Sequence, residues 1–258
     1  MYLFKKIVYS LLLVPILIFG QTNHLNESTH EGLRPLGLGF GFGYSTVSND
    51  LHFNFSYPNR NSLISDGWDF IAITPSGSSR DTEQTSGAVV SYDQQVHPGV
   101  LRIPVDVGDL WEGINSTRNT LFRGLPSGWT SIRLNIASFN PVLPYQQAGL
   151  LVYENDNNYV QLTRIFNGSN LIVFVREVNG VASVLNSVSE SSTTNLHFRL
   201  DRNQSTGNIT SYYSLNNNDW VLVGEVAQSF NNLRFAVVVC ASPGGFPNAD
   251  IAWAEVKL

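Results

Sequence analysis

The chain has 258 residues, of which 43% are hydrophobic, 12% aromatic and only 14% charged, with a formal net charge of −5. That length suits one β-rich domain with a leader, and the absence of any basic run beyond Lys5-Lys6 excludes a protein that grips a phosphate backbone. The single cysteine, Cys240, cannot form an internal disulfide; its setting, Val237-Val238-Val239-Cys240-Ala241, marks a buried structural thiol, so the core alone must hold the fold.

Residues 1–20 read as a signal peptide. Lys5 and Lys6 form a basic start, an apolar stretch runs from Ile7 to Phe19, and Gly20 is a small residue at a cleavage point. The apolar stretch falls short of the ~20 residues that cross a bilayer. The expected product is secreted or periplasmic, without membrane attachment after cleavage.

Residues 21–60 read as an N-terminal extension partly packed on the domain that follows. Within it, Gly37-Leu38-Gly39-Phe40-Gly41-Phe42-Gly43-Tyr44 alternates glycine with apolar residues, but lacks the strand-to-helix context of a phosphate-binding loop. Leu51-His52-Phe53-Asn54-Phe55-Ser56-Tyr57 alternates cleanly and predicts a strand. The domain itself is read as 61–258. Strands are predicted over 68–73, 87–91, 100–105, 129–137, 171–178, 181–188, 197–201, 209–215, 220–226, 233–240 and 251–256. Few apolar residues keep a 3.6 spacing, so helix should be scarce. Many short strands separated by Gly, Asn and Pro predict an all-β fold, a two-sheet antiparallel β-sandwich.

The strongest local signal lies in residues 145–165. Ala148, Leu150 and Val152 alternate with Gln147, Gly149, Leu151 and Tyr153, and Val160 and Leu162 alternate with Tyr159, Gln161 and Thr163. Between them Glu154-Asn155-Asp156-Asn157-Asn158 supplies residues that tolerate left-handed turn geometry. A hairpin with a solvated turn is predicted.

The wording of that hairpin, Tyr145-Gln146-Gln147-Ala148-Gly149-Leu150, resembles concanavalin A-like jelly-roll modules attached to bacterial β-xylosidases and arabinosidases, and a related stand-alone family of unknown function. Further segments carry the resemblance over 67–258: Gly99-Val100-Leu101-Arg102-Ile103 followed by Gly108-Asp109-Leu110-Trp111, then Asn115, Asn119 and Arg123. Leu196 to Arg202 with Ser211-Tyr212-Tyr213-Ser214 and Trp220, and Ala249-Asp250-Ile251-Ala252-Trp253, complete it. The resemblance implies a jelly-roll form of the sandwich. Relatives often carry a second Asp where this chain has Ala252; if that Asp helps hold a structural calcium in them, its loss argues against calcium here, and no cofactor is expected.

A glycosidase needs two carboxylates flanking the scissile bond. The nearest pattern, Glu154-Asn155-Asp156-Asn157-Asn158-Tyr159, lacks the third carboxylate of a catalytic jelly-roll strand and falls at the turn. His52, His97 and His197 stand alone, and no nucleophile elbow or paired zinc histidines occur. Sugars are held by aromatic faces and by fixed amides and carboxylates. Trp111, Asn115, Tyr145, Gln147, Tyr153, Tyr159 and Arg164 are the candidate ligand-binding residues, and Trp68, Trp129, Trp220 and Trp253 are assigned to the core. The favoured expectation is an exported, non-catalytic carbohydrate-binding module with polysaccharide as partner. Two alternatives stay open: a glycoside hydrolase or polysaccharide lyase with unfamiliar catalytic residues, drawn from Asp66, Asp69, Asp109, Glu112 and Glu154, and a structural or adhesive exported domain.

Overall fold

The computed structural model describes residues 49–240 and 247–258. The leader reading, the Gly-rich segment and most of the extension lie outside the described residues. In chain order the elements are β1 (Leu51–Asn54), α1 (Arg60–Ser65), β2 (Ile71–Ile73), β3 (Ser79–Asp81), β4 (Leu101–Pro104), β5 (Leu110–Trp111), β6 (Ile114–Asn115), β7 (Leu121–Gly124) and β8 (Ser131–Ser138). They continue with β9 (Gln147–Asn155), β10 (Asn158–Phe166), β11 (Asn170–Val178), β12 (Val181–Ser189), β13 (Leu196–Arg202), β14 (Ile209–Ser214), β15 (Val221–Val226), β16 (Arg234–Cys240) and β17 (Asn248–Lys257).

Two antiparallel sheets face each other. One has six strands in the order β12-β11-β10-β9-β16-β7. The other has seven, in the order β1-β17-β8-β13-β14-β15, with β4 also pairing β17. Because a strand turns successive side chains to opposite faces, Ala148, Leu150, Val152, Val160 and Leu162 enter the inter-sheet core. There they join Leu134, Ile136, Phe198, Leu200 and Val256 of the facing sheet. β1, inside the stretch read as an extension, pairs with β17 from Leu51↔Val256 to Asn54↔Trp253 and buries Phe53.

The structure departs locally from the sequence reading at three points. Residues 87–91 form no strand; Ser91 makes an isolated bridge to Arg102. The hairpin turn is tighter than expected, because β9 keeps Glu154 and Asn155 and leaves Asp156 and Asn157 between the strands. Nor is that turn solvated at Asp156, which is 0% exposed. Its carboxylate receives Arg80 Nη2 at 2.9 Å and the Tyr153 hydroxyl at 2.9 Å, since the β2–β3 hairpin lies over it.

The four assigned core tryptophans divide. Trp68 and Trp129 are buried. Trp220 and Trp253 are only half-buried, outside the inter-sheet core. Their ring faces are nevertheless taken. Trp253 packs against His52 and His197 with centroids at 5.8 and 5.7 Å, and Trp220 meets the guanidiniums of Arg199 and Arg133 at 4.6 and 5.6 Å.

Candidate functional site

The outer face of the six-stranded sheet carries Gln147, Gly149, Leu151 and Tyr153 on β9 and Tyr159, Gln161 and Thr163 on β10, as the alternation requires. This face is divided. Near the hairpin turn it is covered by a second apolar core, in which Leu151, Tyr153, Tyr159, Ala236, Val238, Cys240 and, from β7, Phe122 pack under Ala72 and Leu110. The two-stranded β5–β6 hairpin supplies Leu110 to that cover and ends above the sheet with Trp111 and Ile114. Gly108 lets the hairpin approach: its φ is +124°, and a Cβ there would lie 2.2 Å from the Ser116 carbonyl oxygen.

Beyond the cover the face opens into a cavity of about 570 Å³. Its volume falls within the range of small-molecule sites. Gln147, Gln161 and Thr163 make the floor, with Asp109 beside them. Trp111, Ile114 and Tyr145 form the rim, and Leu171, Val173, Val175 and Val184 form an apolar wall from β11 and β12. The floor is one hydrogen-bonded ladder. Gln161 Nε2 donates to Gln147 Oε1 at 2.6 Å and to Thr163 Oγ1 at 3.2 Å, and Thr163 donates on to Gln147 Oε1 at 3.2 Å. Gln147 Nε2 donates to Asp109 Oδ1 at 3.3 Å, which also receives the Leu110 N–H at 2.8 Å. Fixed amides in this arrangement need no reorganisation to meet a hydroxyl.

Burial raises the Asp109 carboxyl above its ordinary pKa, against the lowering effect of the Leu110 N–H, the Cys240 thiol and Gln147. Glu177 is raised too, mainly by burial, while hydrogen bonds from the Glu112 N–H and the Tyr159 hydroxyl oppose the shift. Glu177 lies under the cover and does not line the cavity. Cys240 is 1% exposed and its thiol is pushed well up by burial.

The family model for the β-xylosidase C-terminal concanavalin A-like domain, GH43_C2, matches residues 79–246. The chain belongs to this family. Among solved structures it is similar to the GH43 protein BlXynB of Bacillus licheniformis, with 18% identity and a TM-score of 0.63. It is also similar to a xylan β-1,4-xylosidase of Bacillus halodurans, with 13% identity and a TM-score of 0.62. Each of these matches covers 80% of this chain and 39% of the other, so the chain spans well under half the length of those enzymes. A functionally unknown protein of Saccharomyces cerevisiae matches 68% of this chain and 95% of its own, with 14% identity and a TM-score of 0.53. At these identities the likeness is one of fold. No curated protein sequence matches.

Against this GH43_C2 framework the predicted site residues separate. Trp111, Tyr145 and Gln147 line the cavity together; Tyr145 is 57% exposed and Gln147 6%. Tyr145 holds a left-handed backbone, φ 67°, that an aromatic residue rarely adopts, pinned by its N–H to the Phe166 carbonyl at 2.8 Å. Asn115 stands on β6, donating to Asn157 Oδ1 at 2.9 Å, outside the cavity lining.

Tyr153 and Tyr159 are on the expected face but both are 0% exposed beneath the cover, so neither can touch a ligand. The Tyr153 hydroxyl lies 2.9 Å from the Ile73 backbone N, and that of Tyr159 lies 2.7 Å from the Leu110 carbonyl. Both tyrosines fasten the covering hairpins to the sheet. Arg164 has the opposite parity: it points away from the cavity, is 1% exposed and binds the Thr193 carbonyl.

The carboxylates considered for catalysis are dispersed. Asp66 accepts from the Tyr57 hydroxyl, Asp69 is held by Arg234 at 2.6 and 2.7 Å, and Glu154 accepts the Asn231 N–H at 2.8 Å. Asp109 alone among them lines the cavity. Asp250 is bound by Arg102 at 2.7 Å through both oxygens, and the described residues contain no group of three or more metal-binding side chains. Gln161, Thr163 and the β11–β12 wall are among the lining residues absent from the predicted ligand-binding set, as are Asp109, Ile114, Ile165 and Asn167. The alternation of Leu171, Val173 and Val175 was readable, but only the pairing of β11 beside β10 brings them to the amides. Among the described residues no helix is long and apolar enough to cross a membrane.

Proposed function

We propose that this chain is an exported carbohydrate-binding module that works without catalysis and without a cofactor. One observation carries the reading: the amide ladder of Gln147, Gln161 and Thr163 lies at the base of a cavity rimmed by Trp111 and Tyr145. Amides and a carboxylate satisfy hydroxyls, while ring faces and the valine wall take the C–H surface of a sugar. Among the described residues one carboxylate, Asp109, lines the cavity, which supports binding rather than hydrolysis, since hydrolysis needs a facing pair. Export rests on the leader-like first twenty residues.

Family membership supports a carbohydrate context, and the name of the Bacillus halodurans neighbour makes xylan the first glycan to test. In affinity electrophoresis through a panel of polysaccharide gels, the chain is expected to be retarded by at least one neutral glycan. Trp111→Ala should weaken retardation about tenfold, the scale of a lost central aromatic contact. Free migration through every gel would remove the proposal; retardation unchanged in Trp111→Ala would remove the site.

A further inference from the structure

The cavity is closed on one side by a row that crosses the sheet. Tyr153, Tyr159 and Glu177 are paired neighbours on β9, β10 and β11, and each is 0% exposed. Leu110 and the Glu112 N–H sit on that row, joined to Tyr159 and Glu177 at 2.7 Å. A sugar chain laid along the strands therefore runs into a wall after the Gln161 level. The exits lie the other way, past Tyr145 and Asn167 and over the exposed β12 edge at Val184.

The chemistry of the lining is equally one-sided. It contains no Lys, Arg or His among the described residues, and its one charge-bearing group is Asp109. Arg164 and Arg176, the arginines on the neighbouring strands, have the opposite parity and bond the Thr193 and Ala227 carbonyls. Asp109 Oδ1 is engaged by donors, whereas Oδ2 faces no protein partner among the described residues. An incoming hydroxyl can donate to it. An incoming carboxylate would meet it with like charge and find no cation in return.

From the blind end and the cation-free lining, we infer that the cavity takes the terminal residue of an uncharged glycan, end-on, and rejects uronic acids and chain interiors. This rests on the carbohydrate-binding reading and narrows it to a ligand class. The terminal ring sits against Trp111 and the valine wall with its hydroxyls on Gln161 and Asp109, and the remaining chain leaves past Tyr145.

The test is calorimetric titration of the full chain with neutral xylo-oligosaccharides of increasing length, and with oligogalacturonides of matched length. The expected result is binding to the neutral series that stops improving after the first few residues, with at least about tenfold weaker binding of the acidic series. Asp109→Asn should narrow that ratio about tenfold by removing the repulsion while keeping an acceptor for the Leu110 N–H. Affinity that climbs with every added residue overturns end-on capture. Acidic ligands binding as well as neutral ones overturn the charge argument, and both results leave the carbohydrate-binding proposal standing. Absence of binding to both series, joined with free migration through every polysaccharide gel, overturns the parent proposal itself.

Discussion

Gly149→Ala is the sharpest perturbation of the cavity floor. A Cβ built at Gly149 lies 2.1 Å from the Leu162 carbonyl oxygen, 2.7 Å from Thr163 Cα and 2.8 Å from Thr163 Cγ2. Ordinary contact begins at 3.4 Å, so the β9–β10 ladder must open by more than an ångström at its buried centre. Two of the three obstructing atoms are backbone and cannot rotate aside. Overpacking of a well-filled interior costs about 1–3 kcal/mol, and a backbone obstruction belongs at or above the upper end, so about 3 kcal/mol is expected. In a domain of this size that corresponds to a fall in Tm of about 6–12 °C. Gly113, at the exposed tip of the β5–β6 hairpin, has nothing within 4 Å of its Cβ position. Gly113→Ala should therefore stay within about 0.5 kcal/mol of the parent. Urea unfolding followed by tryptophan fluorescence measures both. A loss under about 1 kcal/mol in Gly149→Ala would refute the close β9–β10 register on which the floor depends.

Three further outcomes follow from the covered half of the face. Tyr159→Phe removes the hydroxyl shared by the Leu110 carbonyl and Glu177 Oε2, leaving Oε2 with the Glu112 N–H alone beside an already unpartnered Glu177 Oε1, so a loss of about 1–3 kcal/mol in urea unfolding is expected; less than about 0.5 kcal/mol would contradict the fastening role. The folded pKa of Glu177 is raised, so the folded state holds its proton longer than the unfolded chain, and this group's contribution to stability falls as pH rises above about 4 through the folded value. Glu177→Gln removes that dependence, so its Tm relative to the parent should be more favourable at about pH 8 than at about pH 5; the reverse order would contradict the sign. Cys240, buried and with its thiol held protonated by burial and by the Asp109 carboxylate, should resist iodoacetamide in the native chain and react on unfolding; equal rates in the two states would contradict the burial.

The alternation at 147–153 and 159–163 was enough to assign every one of those side chains to its face, because a strand has a period of two whatever packs on it. It was not enough to say which part of the face meets water. Tyr153 and Tyr159 look like binding residues in sequence, yet the short β2–β3 and β5–β6 hairpins cover them; a strand was readable over 68–73, but no local pattern says that it docks on this face. Arg164 was misread for a simpler reason: its even position places it opposite the glutamines. Trp220 and Trp253 sit among apolar neighbours in sequence but outside the inter-sheet core, where histidine and arginine occupy their faces. Trp111 was legible from its polar surroundings and from the resemblance. The valine wall depended on β11 and β12 folding back beside β10, a long-range fact that local patterning does not carry.

The central claim is that sugar meets this protein on the outer face of the six-stranded sheet, against Gln147, Gln161 and Thr163. Backbone and indole chemical-shift mapping of the isotope-labelled chain, titrated with a neutral oligosaccharide that binds, tests it most directly. The account predicts saturable shifts at the Trp111 indole and at residues 145–149, 161–167 and 171–175, with the buried Tyr153 and Tyr159 rows little changed. Shifts confined to the opposite outer face, around Trp253 and Trp220, would contradict it.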